Sequence, residues 1–144
     1  MTTPTPPRVI LKFGGTSVSS PEAWMGIAKI LRERQAQGER PLVVHSALSG
    51  VTDRLEELPG EALAQRHPAL LRTLALRHDE LAEGLGLDGP GLLAADREEL
   101  ARLADGMALL GEVTPRIRAR ILAFGERMAT RIGAAWLRKV GLPV

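Results

Sequence analysis

Three short stretches of this chain combine residue types that can handle an anion. In the first, Val9-Ile10-Leu11-Lys12-Phe13-Gly14-Gly15-Thr16-Ser17-Val18-Ser19-Ser20, an apolar run ends in a lysine, two glycines and a cluster of small hydroxyl residues. Glycines lack Cβ atoms, so backbone N–H groups there can approach an anion closely. A helix signal follows at Ser20-Pro21-Glu22. Its N-terminus adds partial positive charge, and Lys12 adds a full one. This is the chemistry of a phosphate cradle. It differs from the P-loop, where the lysine follows the glycines. A lysine at a strand end can also be a plain surface residue, but only three of the nineteen Lys and Arg residues are lysines, which makes its place here informative.

The second stretch, Ser46-Ala47-Leu48-Ser49-Gly50-Val51-Thr52-Asp53, follows the apolar run Pro41-Leu42-Val43-Val44-His45 and leads into a helical pattern starting at Thr52 or Asp53. The third is Gly125-Glu126, on a long helical pattern that Thr114-Pro115 opens and that runs to about Val140. Beside the apolar face of that helix (Ile117, Ile121, Phe124, Met128, Ile132, Ala135, Val140) runs a smooth strip of Gly125, Ala129 and Gly133. Each glycine costs a helix about 1 kcal/mol, so something must pack very close there, either the sheet or a ligand. Glu126 stands at the edge of the strip. A glutamate in that position can equally serve a surface ion pair with neighbours such as Arg131.

The elements that must position these stretches follow from periodicity. The spacing predicts a strand from Arg8, then a helix to about Gln37 capped by Ser19 or Ser20, with Pro21 at its first position and Gly38 as its stop. Ala23, Trp24, Ile27, Ile30 and Leu31 recur at helical spacing. Pro41 to Ser46 predicts a second buried strand, which makes a βαβ crossover with parallel strands. Both small-residue loops then lie at the carboxyl ends of parallel strands, the edge where open α/β sheets bind ligands. From about Leu55 to Val113 the pattern is helical, with breaks expected at Pro59-Gly60, near Pro68 and from Gly84 to Gly91. One stripe of Leu70, Leu74, Leu81 and Leu85 and another of Leu93, Leu100, Leu103, Met107 and Leu110 read as core of a helical hairpin beside the sheet. Gly141-Leu142-Pro143-Val144 reads as a helix stop and the first residues of a third strand.

Composition narrows the function. The 144 residues fit one domain. The net charge is only +2, the cations are dispersed and aromatic residues make up 3%, so neither a nucleic-acid footprint nor a base-stacking platform is expected. The absence of cysteine excludes disulfides, thiolate metal sites and cysteine nucleophiles. No metal-ligand set is assigned. The Pro/Thr-rich start has no apolar h-region, and no apolar run approaches the ~18 residues of a membrane span, so a cytoplasmic protein without a membrane partner is expected. His45 reads as a tolerated core histidine rather than a ligand, and His67 and His78 as ordinary helix histidines.

Taken together, the three stretches resemble the motifs of aspartate kinases. Lys12-Phe13-Gly14-Gly15-Thr16-Ser17-Val18 is similar to that family's signature, Val43 to Asp53 to its second motif, and Phe124-Gly125-Glu126-Arg127-Met128 to its third, in the family's order. Other kinases of the amino-acid kinase fold have different first loops. The Leu/Arg/Ala-rich middle and Ser19-Ser20-Pro21 with Trp24 also resemble the kinase half of fusions to diaminopimelate decarboxylase.

The resemblance implies an α/β fold, namely part of an amino-acid-kinase-like three-layer sandwich of parallel strands with a helical insertion. Residues 1–7 are then a disordered tail and residues 8–144 the N-terminal portion of the kinase domain. It further implies transfer of the γ-phosphoryl of ATP, with Mg2+, to the side-chain carboxylate of L-aspartate, the first step toward lysine, threonine and methionine, in a homo-oligomer. By the same resemblance Lys12 is catalytic, Lys12, Gly14, Gly15, Thr16 and Ser17 bind the phosphates, and Ser46, Ala47, Thr52 and Glu126 bind aspartate. The family's later part supplies an arginine for the α-carboxylate, an acidic partner of the lysine and the adenine pocket. The 144 residues alone are therefore expected to be inactive. A non-catalytic remnant or oligomerising interaction module with the same half-fold is the alternative.

Overall fold

The structure is a computed structural model describing residues 6–144, so the tail expected over residues 1–7 lies mostly outside the described residues. Strand β1 (Arg8–Phe13) leads through a 3-10 turn at Thr16–Val18 into helix α1 (Pro21–Ala36), which returns to strand β2 (Arg40–His45). Helices α2 (Val51–Leu63), α3 (His67–Gly84), α4 (Gly89–Leu110) and α5 (Pro115–Lys139) follow. The strands are parallel, in register from Arg8 opposite Arg40 to Phe13 opposite His45.

The sequence explains most boundaries. Ser20 caps α1 by accepting from the Ala23 N–H at 3.2 Å, with Pro21 in the first turn. Gly38 has φ +77°, a left-handed turn that stops the helix at little cost. Thr114 caps α5, accepting from Ile117 N–H at 3.2 Å.

The sheet has two unlike faces. Val9, Leu11, Phe13, Val43 and His45 are half-buried against the helices, whereas Ile10, Lys12, Leu42 and Val44 alternate onto an open face. The core lies mainly among the helices, with Trp24, Leu55, Leu58, Leu93, Phe124 and Ile132 almost fully buried.

Some expectations need correction. Pro59 does not break a helix. It lies inside α2, buried beside Leu58 and Ala62, so packing outweighs the hydrogen bond that proline removes. The break comes at Ala64–Arg66, where Gln65 takes φ 59°. Leu110 is 72% exposed rather than in the core. Residues 142–144 form no strand, although Leu142 is buried.

Candidate active site

The two small-residue loops meet at the carboxyl end of the sheet. After β1 the chain closes a tight turn, with Ser17 N–H donating to Gly14 O at 3.0 Å and Val18 N–H to Gly15 O at 3.3 Å. As at any helix start, the N–H groups ahead of these bonds, at Gly14 to Thr16, have no acceptor within the turn. They are the donors an anion would use. The two glycines do different work. A Cβ on Gly14 would meet nothing within 4 Å, so the space beside it is open to a ligand. A Cβ on Gly15 would lie 3.0 Å from Ala47 O and 3.5 Å from Ser49 N, so this glycine admits the neighbouring loop.

After β2, Ser46 N–H donates to Phe13 O at 3.2 Å, carrying the sheet pairing one residue into the loop. Gly50, with φ +77°, turns the chain into α2, which begins at Val51, a residue earlier than the pattern predicts. Ser46 is half-buried, Ala47 is buried at 2%, and Thr52 is exposed in the first turn of α2.

Helix α5 closes against the second loop. A Cβ on Gly125 would sit 2.7 Å from the Ala47 methyl, and one on Gly133 would sit 2.0 Å from the Trp24 indole. The smooth strip therefore receives a loop alanine and an α1 tryptophan, not the sheet or a ligand. Thr130 Oγ1 lies 3.4 Å from His45 Nε2, while His45 Nδ1 is 2.9 Å from Ser46 O and its ring meets Trp24 edge-on.

Glu126 is exposed next to Gly125 and, among the described residues, has no ion-pair partner. The arginines beside it are engaged elsewhere. Arg127 Nε and Arg131 Nε each lie 2.7 Å from Asp96 on α4, and Arg127 also reaches Glu99 at 2.7 Å. Hydrogen bonds from Arg120 and then Arg127 hold the Glu99 carboxyl below its ordinary range. A surface ion pair of Glu126 with Arg131 is thus not formed.

The Gly14–Ser17 turn, the Ser46–Thr52 loop and Gly125 of α5 therefore come together around Ala47, with exposed Glu126 the next residue along the helix. Lys12 stands at the rim, exposed on the open face opposite Val44, with no hydrogen bond or ion pair among the described residues. No cluster of three or more His, Cys, Asp or Glu suited to a metal ion occurs among the described residues.

Sequence reasoning missed two supports of the site. Ser19 bridges the loops, donating to Gly15 O and accepting from Ser49 N–H at 2.8 Å. Asp96, 2% exposed, pins α5. An aspartate between Leu93 and Leu100 in an apolar stripe was a readable signal of a buried, paired carboxylate.

Parallel strands that open at one edge into two small-residue loops, backed by helices, define an α/β protein. The chain belongs to the amino acid kinase family, whose model matches residues 7–144. Within it, the chain is similar to Aspartokinase 3, chloroplastic, of Arabidopsis thaliana (33% identical over 92% of this chain and 24% of the relative). It is likewise similar to the aspartokinase of Chlamydia trachomatis serovar D (34% identical over 94% of this chain and 29% of the relative). The chain spans about a quarter of the length of these curated relatives. Its fold matches E. coli aspartokinase III solved with lysine and aspartate, at TM-score 0.74 and 27% identity over 95% of this chain and 30% of that one. The same enzyme solved with aspartate and ADP matches at TM-score 0.74 and 26% identity, over 93% and 29%.

Proposed function

We propose that these residues form the phosphate cradle and part of the acceptor pocket of an ATP-dependent aspartate kinase. The observation that carries this reading is the convergence of the Gly14–Ser17 turn, the Ser46–Thr52 loop and Gly125, the residue before the unpaired Glu126, around Ala47. Likeness to aspartokinases, one of them solved with aspartate and ADP, supports it.

An aspartate side chain, with an ordinary pKa near 3.9, is already a nucleophile at neutral pH and needs no general base. The obstacle is bringing one anion onto another. Catalysis is then alignment and charge neutralisation. Free amides at Gly14 to Thr16 hold phosphate oxygens, aided by the Thr16 and Ser17 hydroxyls. Lys12 neutralises charge on the transferring group. The Ser46 hydroxyl, the Ala47 backbone and Thr52 at the start of α2 receive the acceptor carboxylate, and Glu126 pairs with its α-ammonium. Mg2+ bound with ATP would add to this neutralisation by shielding the phosphate charge. The cytoplasm, the lysine, threonine and methionine pathway, and a homo-oligomer are part of the same proposal. So is the inactivity of the 144 residues alone, because they supply one side of the site.

The test has two levels. Titrating the 15N-labelled chain with MgATP and then L-aspartate should shift the amides of Gly14–Ser17 first and those of Ser46–Thr52 and Glu126 second. In the whole gene product, Lys12→Ala should lower aspartate-dependent ADP release by at least about a hundredfold. A loss below threefold in the whole gene product overturns the reading.

A second reading, an oligomerising module without catalysis, is favoured by Ile10 and Leu42, 68% and 55% exposed on the open sheet face. Sedimentation with and without ATP separates the two. Tight oligomers blind to ATP support the module.

A further inference from the structure

Ser19 lies outside every residue given a ligand role above, yet it holds the two loops together. Its hydroxyl uses both of its capacities. It donates to Gly15 O within its own turn and accepts the Ser49 N–H at 2.8 Å, thirty residues away. Its carbonyl is held as well, accepting from Arg77 on α3 at 3.2 Å. The loops need such a tie because they are otherwise in bare contact: the Gly15 Cα faces Ala47 O and Ser49 N too closely to admit a side chain. The capping of α1 falls to Ser20, so the hydroxyl of Ser19 is not spent on the helix.

We propose that Ser19 is a positioning residue, a latch that fixes the phosphate-binding turn against the acceptor loop so that the two move as one unit. The functional part of this inference rests on the kinase reading, and the latch itself does not. With the latch closed, the turn amides and Ser46-Ala47 keep a fixed separation, which phosphoryl transfer between two bound groups requires. With alanine at this position, water replaces the hydroxyl at both loops and each loop relaxes independently. Threonine keeps the hydroxyl and should restore the tie.

The experiment compares wild type, Ser19→Ala and Ser19→Thr, the 144-residue chain by amide hydrogen exchange and the whole gene product by MgATP titration. In Ser19→Ala the Ser49 amide should exchange about tenfold faster, as expected for loss of one hydrogen bond. Amides in the middle of α5 should be unchanged, and Ser19→Thr should return Ser49 to near the wild-type rate. In the whole gene product, MgATP affinity should fall about three- to tenfold in the alanine variant and recover with threonine. A Ser49 rate within twofold of wild type in Ser19→Ala overturns the latch. Faster Ser49 exchange that Ser19→Thr does not restore also overturns the latch, whereas loss of the kinase reading would show separately, as Lys12→Ala leaving aspartate-dependent ADP release of the whole gene product unchanged.

Discussion

The Asp96 carboxylate lies 2.7 Å from Arg127 Nε across the interface of α4 and α5, and it is almost fully buried there. Arg131, one turn further along α5, takes its other oxygen at 2.7 Å. One α4 side chain thus ties two successive turns of α5 to α4. The same helix packs Gly125 against Ala47 and leaves Glu126 exposed. Asp96→Ala should destabilise the chain by about 1–3 kcal/mol in urea unfolding. This is less than the ~3–5 kcal/mol of a fully buried pair, because the half-exposed arginines can turn to water. A cost below about 0.5 kcal/mol would reduce the contact to an ordinary surface pair.

The glycines of the helices separate by what surrounds them. Gly133→Ala drives a methyl into the Trp24 ring, so the midpoint of unfolding should fall by the equivalent of about 1–3 kcal/mol. Gly26→Ala, in α1 with nothing within 4 Å, should raise stability by about 0.5–1 kcal/mol. Equal effects of the two substitutions would mean that the Gly133–Trp24 packing is not as tight as the structure has it.

In the phosphate turn, Gly14→Ala should leave stability within about 0.5 kcal/mol of wild type, since the added methyl meets no protein atom. Under the kinase reading the same methyl takes the space meant for ligand. It should weaken MgATP binding by about tenfold or more, worth about 1.4 kcal/mol. Gly15→Ala should lower both stability and binding, because it pushes Ala47 and Ser49 away.

His78 provides a pH test. It is fully buried, its Nδ1 is bonded to Leu74 O at 2.7 Å, and Nε2 has no partner. Burial, with smaller contributions from Arg97 and Arg77, pushes its pKa below the ordinary 6.5, against Asp79 and the Leu74 carbonyl, which raise it. The unfolded chain therefore takes up a proton near pH 6.5 that the folded chain resists. Stability should be full above that pH and decline as pH falls below it. His78→Leu should flatten that decline in chemical unfolding measured from pH 7.5 to 5. An unchanged slope would assign the pH dependence to another group.

Where the sequence was legible, a local rule and the tertiary fold agreed. Ser20-Pro21, Gly38 and Thr114-Pro115 each mark a boundary that their own backbone chemistry dictates. The parallel pairing followed from strand, helix and strand lengths alone. The two small-residue loops also meet at the carboxyl end of the sheet, as their placement at strand ends implied. Tertiary context decided the rest. Pro59 is carried inside α2 by burial, whereas the break expected near Pro68 falls at Ala64–Arg66, just ahead of it. His67, read as an ordinary helix residue, is buried with Nε2 2.9 Å from Asp105, a partner thirty-eight positions away that no local pattern reveals. The strip on α5 announced a close neighbour correctly. Its identity needed the fold, since Trp24 reaches Gly133 from the first helix.

That tryptophan gives the molecule an optical reporter. Its Nε1–H donates to Val18 O at 2.9 Å, in the turn that follows Gly14 and Gly15, while the ring touches His45 and lies 6.4 Å from Trp136. With two tryptophans and no tyrosine, near-ultraviolet emission comes almost entirely from this pair. A change in the phosphate turn is therefore coupled through one hydrogen bond to a buried fluorophore. Under the kinase reading, a phosphate entering that turn should register in intrinsic fluorescence, with no label attached.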